Sequence, residues 1–201
     1  MKKILPFFSY LFHPIFIPIL GTLIYSYYGD RLYTQEQYYL LLFQVVIITF
    51  LLPLSFFYLL RTFGKVDTIM MANVKERKIP LLMQMILTYI LLQKSITVER
   101  FPELFFFFLG GFASTFIVFL LIYIRFKASV HMVAISALNC FVLGLSIHYQ
   151  INCSYMIAAL VVLSGVIATS RLYMHAHTLK ELAVGYLCGS IPQLMFWYYW
   201  L

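Results

Sequence analysis

Apolar stretches long enough to cross a lipid bilayer recur along almost the whole of this 201-residue chain, and that feature restricts what it can fold into more than any other. A helix spanning the hydrocarbon core needs about 20 mostly apolar residues. Seven stretches of roughly that length can be marked: Phe7 to Tyr28, Tyr38 to Leu60, Ile79 to Gln93, Leu104 to Ile124, His131 to Tyr149, Tyr155 to Tyr173 and Leu179 to Trp200. The third is short. Composition agrees: 63% of residues are hydrophobic and 10% charged, where a soluble domain has about 25% charged residues. Mean hydropathy is +0.92. The expected fold is all-α, a polytopic membrane helix bundle of six to seven transmembrane helices forming a single domain over residues 1–201. No soluble domain, low-complexity linker or internal repeat is evident.

The first stretch has a basic start in Lys2 and Lys3, as a signal peptide would. It contains Pro14 and Pro18, however, and runs to Tyr28 with no small-residue cleavage pattern after it, so it is expected to remain as a span. Cys140, Cys153 and Cys188 are an odd count, two of them inside apolar spans, and read as small hydrophobes, not as a disulfide framework or metal site.

Charge placement sets the topology. With seven spans, one face holds the N-terminus and the loops near 61–78, 125–130 and 170–178. That face carries eleven of the fourteen Lys and Arg residues; Arg31, Lys94 and Arg100 lie on the other. The positive-inside rule makes the basic face cytoplasmic. A phosphate-binding site would also gather cations, but setting aside Lys75, Arg77, Lys127 and Arg171 still leaves seven against three.

The same face collects the residues capable of polar chemistry. Lys75, Arg77 and Lys78 precede the third span, Ser129 and His131 open the fifth, and Ser170, Arg171, His175, His177 and Glu181 bridge the sixth and seventh. Two spans separate each cluster from the next, so all three emerge on one side. His177 and Glu181, four apart at a helix start, share a face on which the carboxylate can accept the ring N–H. That contact selects the tautomer and leaves the other nitrogen free for attack. Arg171 offers a planar fork of donors for phosphate oxygens. Ser129 and His131 lie at a helix N-terminus, where free N–H groups favour an anion.

Each feature has a plainer explanation beside it. Thr178-Leu-Lys-Glu181 fits a capping box. Lys65, Lys78, Arg125 and Lys180 fit snorkelling to head groups. His175 and His177 form a His-x-His pair without further ligands, so no metal or other cofactor is expected. His13 reads as a polar residue in a kinked helix, His148 as interfacial, the Phe105 to Phe108 run as lipid-facing, and the Tyr and Trp residues of 197–200 as an interfacial belt.

The segment Ser170-Arg171-Leu-Tyr-Met-His175-Ala-His177-Thr-Leu-Lys-Glu181 resembles the third signature of the type 2 phosphatidic acid phosphatase superfamily, which includes the vanadium haloperoxidases: Ser-Arg, five residues, His, three residues, Asp, with Glu181 in place of Asp. Ala128-Ser129-Val130-His131 resembles the second, Pro-Ser-Gly-His, in its Ser and His. Lys75-Glu-Arg77-Lys-Ile-Pro80 is the nearest segment to the first, Lys, six residues, Arg-Pro; Met70 stands where its Lys belongs. His13-Pro14-Ile-Phe-Ile-Pro18 and Gly64-Lys65, with Ala176-His177-Thr178 followed by Gly185 and Gly189, look like a divergent branch typical of Bacteroidetes. The resemblance implies a multi-pass protein of the bacterial inner membrane that hydrolyses a lipid phosphate or diphosphate through a phosphohistidine intermediate. In that scheme His177 is the nucleophile, Glu181 orients it, and His131 is acid and then base. Arg171, Arg77, Ser129 and Ser170 hold phosphate oxygens, with Lys127 preferred over Lys75 as the substitute for the missing Lys. The implied partners are a lipid phosphate substrate and the bilayer, without nucleic acid. The alternative is a catalytically degenerate relative that binds or moves anionic lipids.

Overall fold

The computed structural model describes residues 4–29, 33–65 and 74–201, with side chains described from residue 7 onward within these ranges except at 74 and 75. All regular structure among these residues is helical. In chain order the helices are α1 (Ile4–Leu11), α2 (Ile17–Tyr28), α3 (Gln35–Val46), α4 (Leu52–Thr62), α5 (Lys78–Lys94), α6 (Pro102–Tyr123), α7 (Val130–His148), α8 (Ser154–Tyr173) and α9 (Leu179–Trp200). The chain is a membrane protein: five helical segments, Phe7–Tyr28, Gln35–Thr62, Pro102–Tyr123, Val130–His148 and Ser154–Tyr173, are long and apolar enough to cross a bilayer. The 17 residues of α5 reach about 26 Å, short of a core about 30 Å thick.

Two of the five segments are interrupted, and proline causes both interruptions. Pro14 excludes helical backbone at the residue before it, so His13 is extended (φ −64°, ψ 140°) and a 3₁₀ turn, Pro14–Phe16, joins α1 to α2. Pro53 sits in the first turn of α4. Its ring would clash with the carbonyl four residues back and it brings no N–H. The ladder widens there into a π turn, Ile47–Leu51, while Thr49 Oγ donates to the Val45 carbonyl at 2.8 Å.

Helix α7 is the hub. Two thirds of its span is buried inside the protein, against 22–33% for the other four segments. Ile135, Leu138, Phe141, Val142 and Leu145 are at most 1% exposed. Helix α9 lies along α7 because its small residues face that helix: a Cβ at Gly185 would sit 2.6 Å from the Ser129 carbonyl oxygen, and one at Gly189 2.1 Å from that of Val133. Without a hydrophobic force between helices in lipid, close backbone approach of this kind holds spans together.

The far end is tied by the buried Glu103 at the start of α6. It accepts from the Tyr25 hydroxyl at 3.1 Å and the Tyr149 hydroxyl at 2.7 Å, and pairs with His148 at 3.3 Å. The phenylalanine run departs from its expected lipid-facing role. Phe107 and Phe108 are 5% and 4% exposed, since Phe107 fills the space that Gly21 leaves open and stacks on Phe141. Trp200, likewise, is buried against Gly144 and Phe141 instead of joining an interfacial belt.

Candidate functional site

Helix endings bring the polar segments together. Helix α8 stops in a Schellman turn, with Ala176 N–H donating to the Arg171 carbonyl and His175 N–H to that of Leu172. His175 occupies the left-handed position, φ 51°, and is exposed. It is thus a turn residue, and the His-x-His spacing follows from the turn. Helix α6 ends the same way, with Arg125 at φ 60°. The connections after α6 and α8 then meet: Ser129 N–H donates to the Glu181 carbonyl at 3.1 Å.

His177 is the centre of this contact. Its Nδ1 lies 3.2 Å from Glu181 Oε2 and 3.1 Å from the Lys127 carbonyl oxygen. Both partners can only accept, so Nδ1 carries the proton and the neutral ring has its lone pair on Nε2. The same Oε2 also accepts from Thr178 N–H at 2.9 Å, while Thr178 Oγ accepts from Glu181 N–H. The capping box and the His177 partnership therefore coexist on one carboxylate oxygen.

Arg77, Arg171, His131 and His177 are each 7% exposed or less, and all four line one cavity of about 510 Å³. Below them its wall is almost wholly apolar, formed by residues such as Phe16, Phe57, Leu81 and Phe108. Phe108 lies about 22 Å along α6 from the helix end at Tyr123, so the cavity runs deep into the bundle. Arg77 also donates to the Ala128 carbonyl at 3.2 Å, which anchors the start of α5 to the α6–α7 connection.

The remaining expected site residues are placed differently. Lys127 brackets the His177 turn: its Nζ donates to the Ala176 carbonyl at 3.1 Å, and it stands off the cavity wall. Ser170 Oγ is 2.7 Å from Ser9 Oγ and faces α1. Ser129 is fully buried, and its Oγ has no hydrogen-bond partner among the described residues. The Lys75 side chain lies outside the described residues. His131 Nε2 is 3.0 Å from the Ser9 carbonyl oxygen, which leaves Nδ1 as its nitrogen for proton exchange. Ser9 had no sequence signal, because its importance comes from packing α1 against the ends of α7 and α8.

Burial, with Arg77, Arg171 and Lys127 nearby, pushes the His177 imidazole down to about 4, against a smaller upward pull from Glu181. Burial and then Arg171 lower Arg77 to about 10, and burial and then Arg77 lower Lys127. His177 is thus neutral in the folded protein between pH 4 and 6.5, where the unfolded chain takes up a proton. Its contribution to stability is complete above about pH 6.5 and is lost as pH falls towards 4. Imidazole ¹⁵N NMR should show His177 unprotonated at pH 5.5 in wild type, with its midpoint raised in Arg77→Gln. A wild-type midpoint near 6.5 would contradict the burial and charge argument.

Among the described residues no three His, Cys, Asp or Glu side chains gather into a metal site. No protein-family model, curated protein or solved structure matches the chain.

Proposed function

We propose that this chain is a membrane-embedded phosphatase, a divergent member of the type 2 phosphatidic acid phosphatase superfamily, acting on a lipid phosphate or diphosphate. The observation that carries the reading is one cavity lined by His177, Arg77 and Arg171 together with a largely apolar wall. Such a shape suits an anionic head joined to a hydrocarbon chain.

His177 Nε2 forms a bond to the terminal phosphorus as the bond from phosphorus to the leaving oxygen breaks. His131, which takes up a solvent proton at Nδ1 as substrate binds, passes it to the leaving oxygen, and Glu181 supports the positive charge that the phosphorylated ring acquires. Water then forms a new P–O bond as the P–N bond breaks, its proton passing to His131 Nδ1, and inorganic phosphate leaves with His177 restored. The guanidinium groups of Arg77 and Arg171 offset the charge on the equatorial oxygens.

Purified wild type in lipid vesicles should release phosphate from long-chain lipid phosphates far faster than from glycerol phosphate. Lipid phosphate binding without release would instead favour a binding or transport protein. The excess of basic residues supports a cytoplasmic site in a bacterial inner membrane. With single cysteines at positions 65 and 99 in a cysteine-free background, an impermeant reagent should label only position 99 in intact spheroplasts. Labelling confined to position 65 reverses the orientation.

A further inference from the structure

His13 lies at the break between α1 and α2, where Pro14 keeps it out of helical backbone and leaves its ring outside the helix ladder. Its Nδ1 accepts the Ile15 N–H at 3.3 Å. A nitrogen that accepts carries no proton, so the neutral ring has its N–H at Nε2. The ring lines the same cavity as Arg77, Arg171 and His177, and meets His131 edge to face at 5.3 Å between centroids. Of the two, His131 spends its Nε2–H on the Ser9 carbonyl, whereas His13 Nε2–H has no acceptor among the described residues.

We propose that His13 is a further binding residue of the site, one that donates Nε2–H to an oxygen of the phosphoryl group held at Arg171. This role rests on the phosphatase reading. The fold supplies the donor by a local device: Pro14 sets the backbone and the Ile15 N–H sets the tautomer, in a ring that lines the cavity. A neutral donor suits a place already beside a guanidinium, since it adds a hydrogen bond to the bound oxyanion without adding charge.

Two substitutions separate this role from that of a simple turn cap. In His13→Asn the amide oxygen can replace Nδ1 as acceptor for Ile15 N–H, but the reach of Nε2 is lost. In His13→Gln the amide nitrogen reaches the place of Nε2 as a donor, but the cap is lost. Orthovanadate, which mimics a phosphoryl group in transfer, is the probe, and its dissociation constant is read by ⁵¹V NMR on the full chain in detergent. His13→Asn should weaken vanadate binding about tenfold or more, while His13→Gln stays within about threefold of wild type. The reverse order, equal losses in both, or full affinity in His13→Asn overturns the role of His13 alone. A wild type that binds no vanadate overturns the phosphatase reading together with it.

Discussion

His177→Ala should lower turnover of the best lipid phosphate by at least about 10³-fold, because no other group presents an unprotonated nitrogen to phosphorus in the proposed scheme. The fold should survive. The ring's hydrogen bonds are to a turn carbonyl and a carboxylate that keeps its second partner, Thr178 N–H. A lost hydrogen bond of this kind costs about 1 kcal/mol, so thermal unfolding in detergent should shift by only a few degrees. Glu181→Gln gives the instructive contrast. Carboxylate-to-amide changes behind a catalytic histidine can cost about 10⁴-fold when the ring is left in the wrong tautomer. Here the Lys127 carbonyl still accepts from Nδ1 at 3.1 Å, so the tautomer is kept and only charge support is lost. The expected fall is about 10- to 100-fold in kcat. Turnover of His177→Ala above a few per cent of wild type would rule out covalent catalysis by this residue.

The largest effect on stability should come from Gly189→Ala. A Cβ at this position lies 2.1 Å from both the Val133 carbonyl oxygen and Ser136 Oγ. A side-chain tip could rotate away, but the carbonyl belongs to the ladder of the central helix and cannot. Helix α9 must then move off α7, at a cost of about 1–3 kcal/mol or more. The same movement would strain the bond from Ser129 N–H to the Glu181 carbonyl, so activity should fall with stability. Gly165→Ala is the control, since a Cβ there meets nothing within 4 Å and alanine favours helix. Thermal unfolding of the two variants should separate them by many degrees; equal midpoints would show that α7 and α9 do not rely on close approach at Gly189.

Spans were legible because the bilayer imposes length and apolarity on each helix separately. As a helix α9 covers the expected Leu179 to Trp200, though it is not among the five segments long and apolar enough to cross a bilayer; α7 and α8 begin one residue earlier than expected. The inner faces were less legible. Phe107 looks no different in sequence from Phe105, yet one is buried and the other half-buried, because in lipid both the core and the outer surface are apolar and hydropathy does not distinguish them. Glu181 carried two readings at the same spacing, and one oxygen satisfies both. Lys127, as the substitute for a missing Lys, and Arg77 were both expected to bind phosphate. Only Arg77 reaches the cavity wall, because Lys127 is drawn to the Ala176 carbonyl.

By itself, then, the sequence determined what is local: apolar lengths, the kink at Pro14, the Thr178 cap, and the four-residue spacing that sets His177 beside Glu181. It also determined by parity that three distant polar segments share a face. Tertiary structure decided which members of those segments meet. Ser9 reaches Ser170 and His131 across more than 120 residues, and His13 joins Arg77, Arg171 and His177 around one cavity. The physical reason is that these contacts depend on helix rotation and on close approach at Gly185 and Gly189. Both are set by the shapes of neighbouring helices, which the pattern of any single helix does not contain.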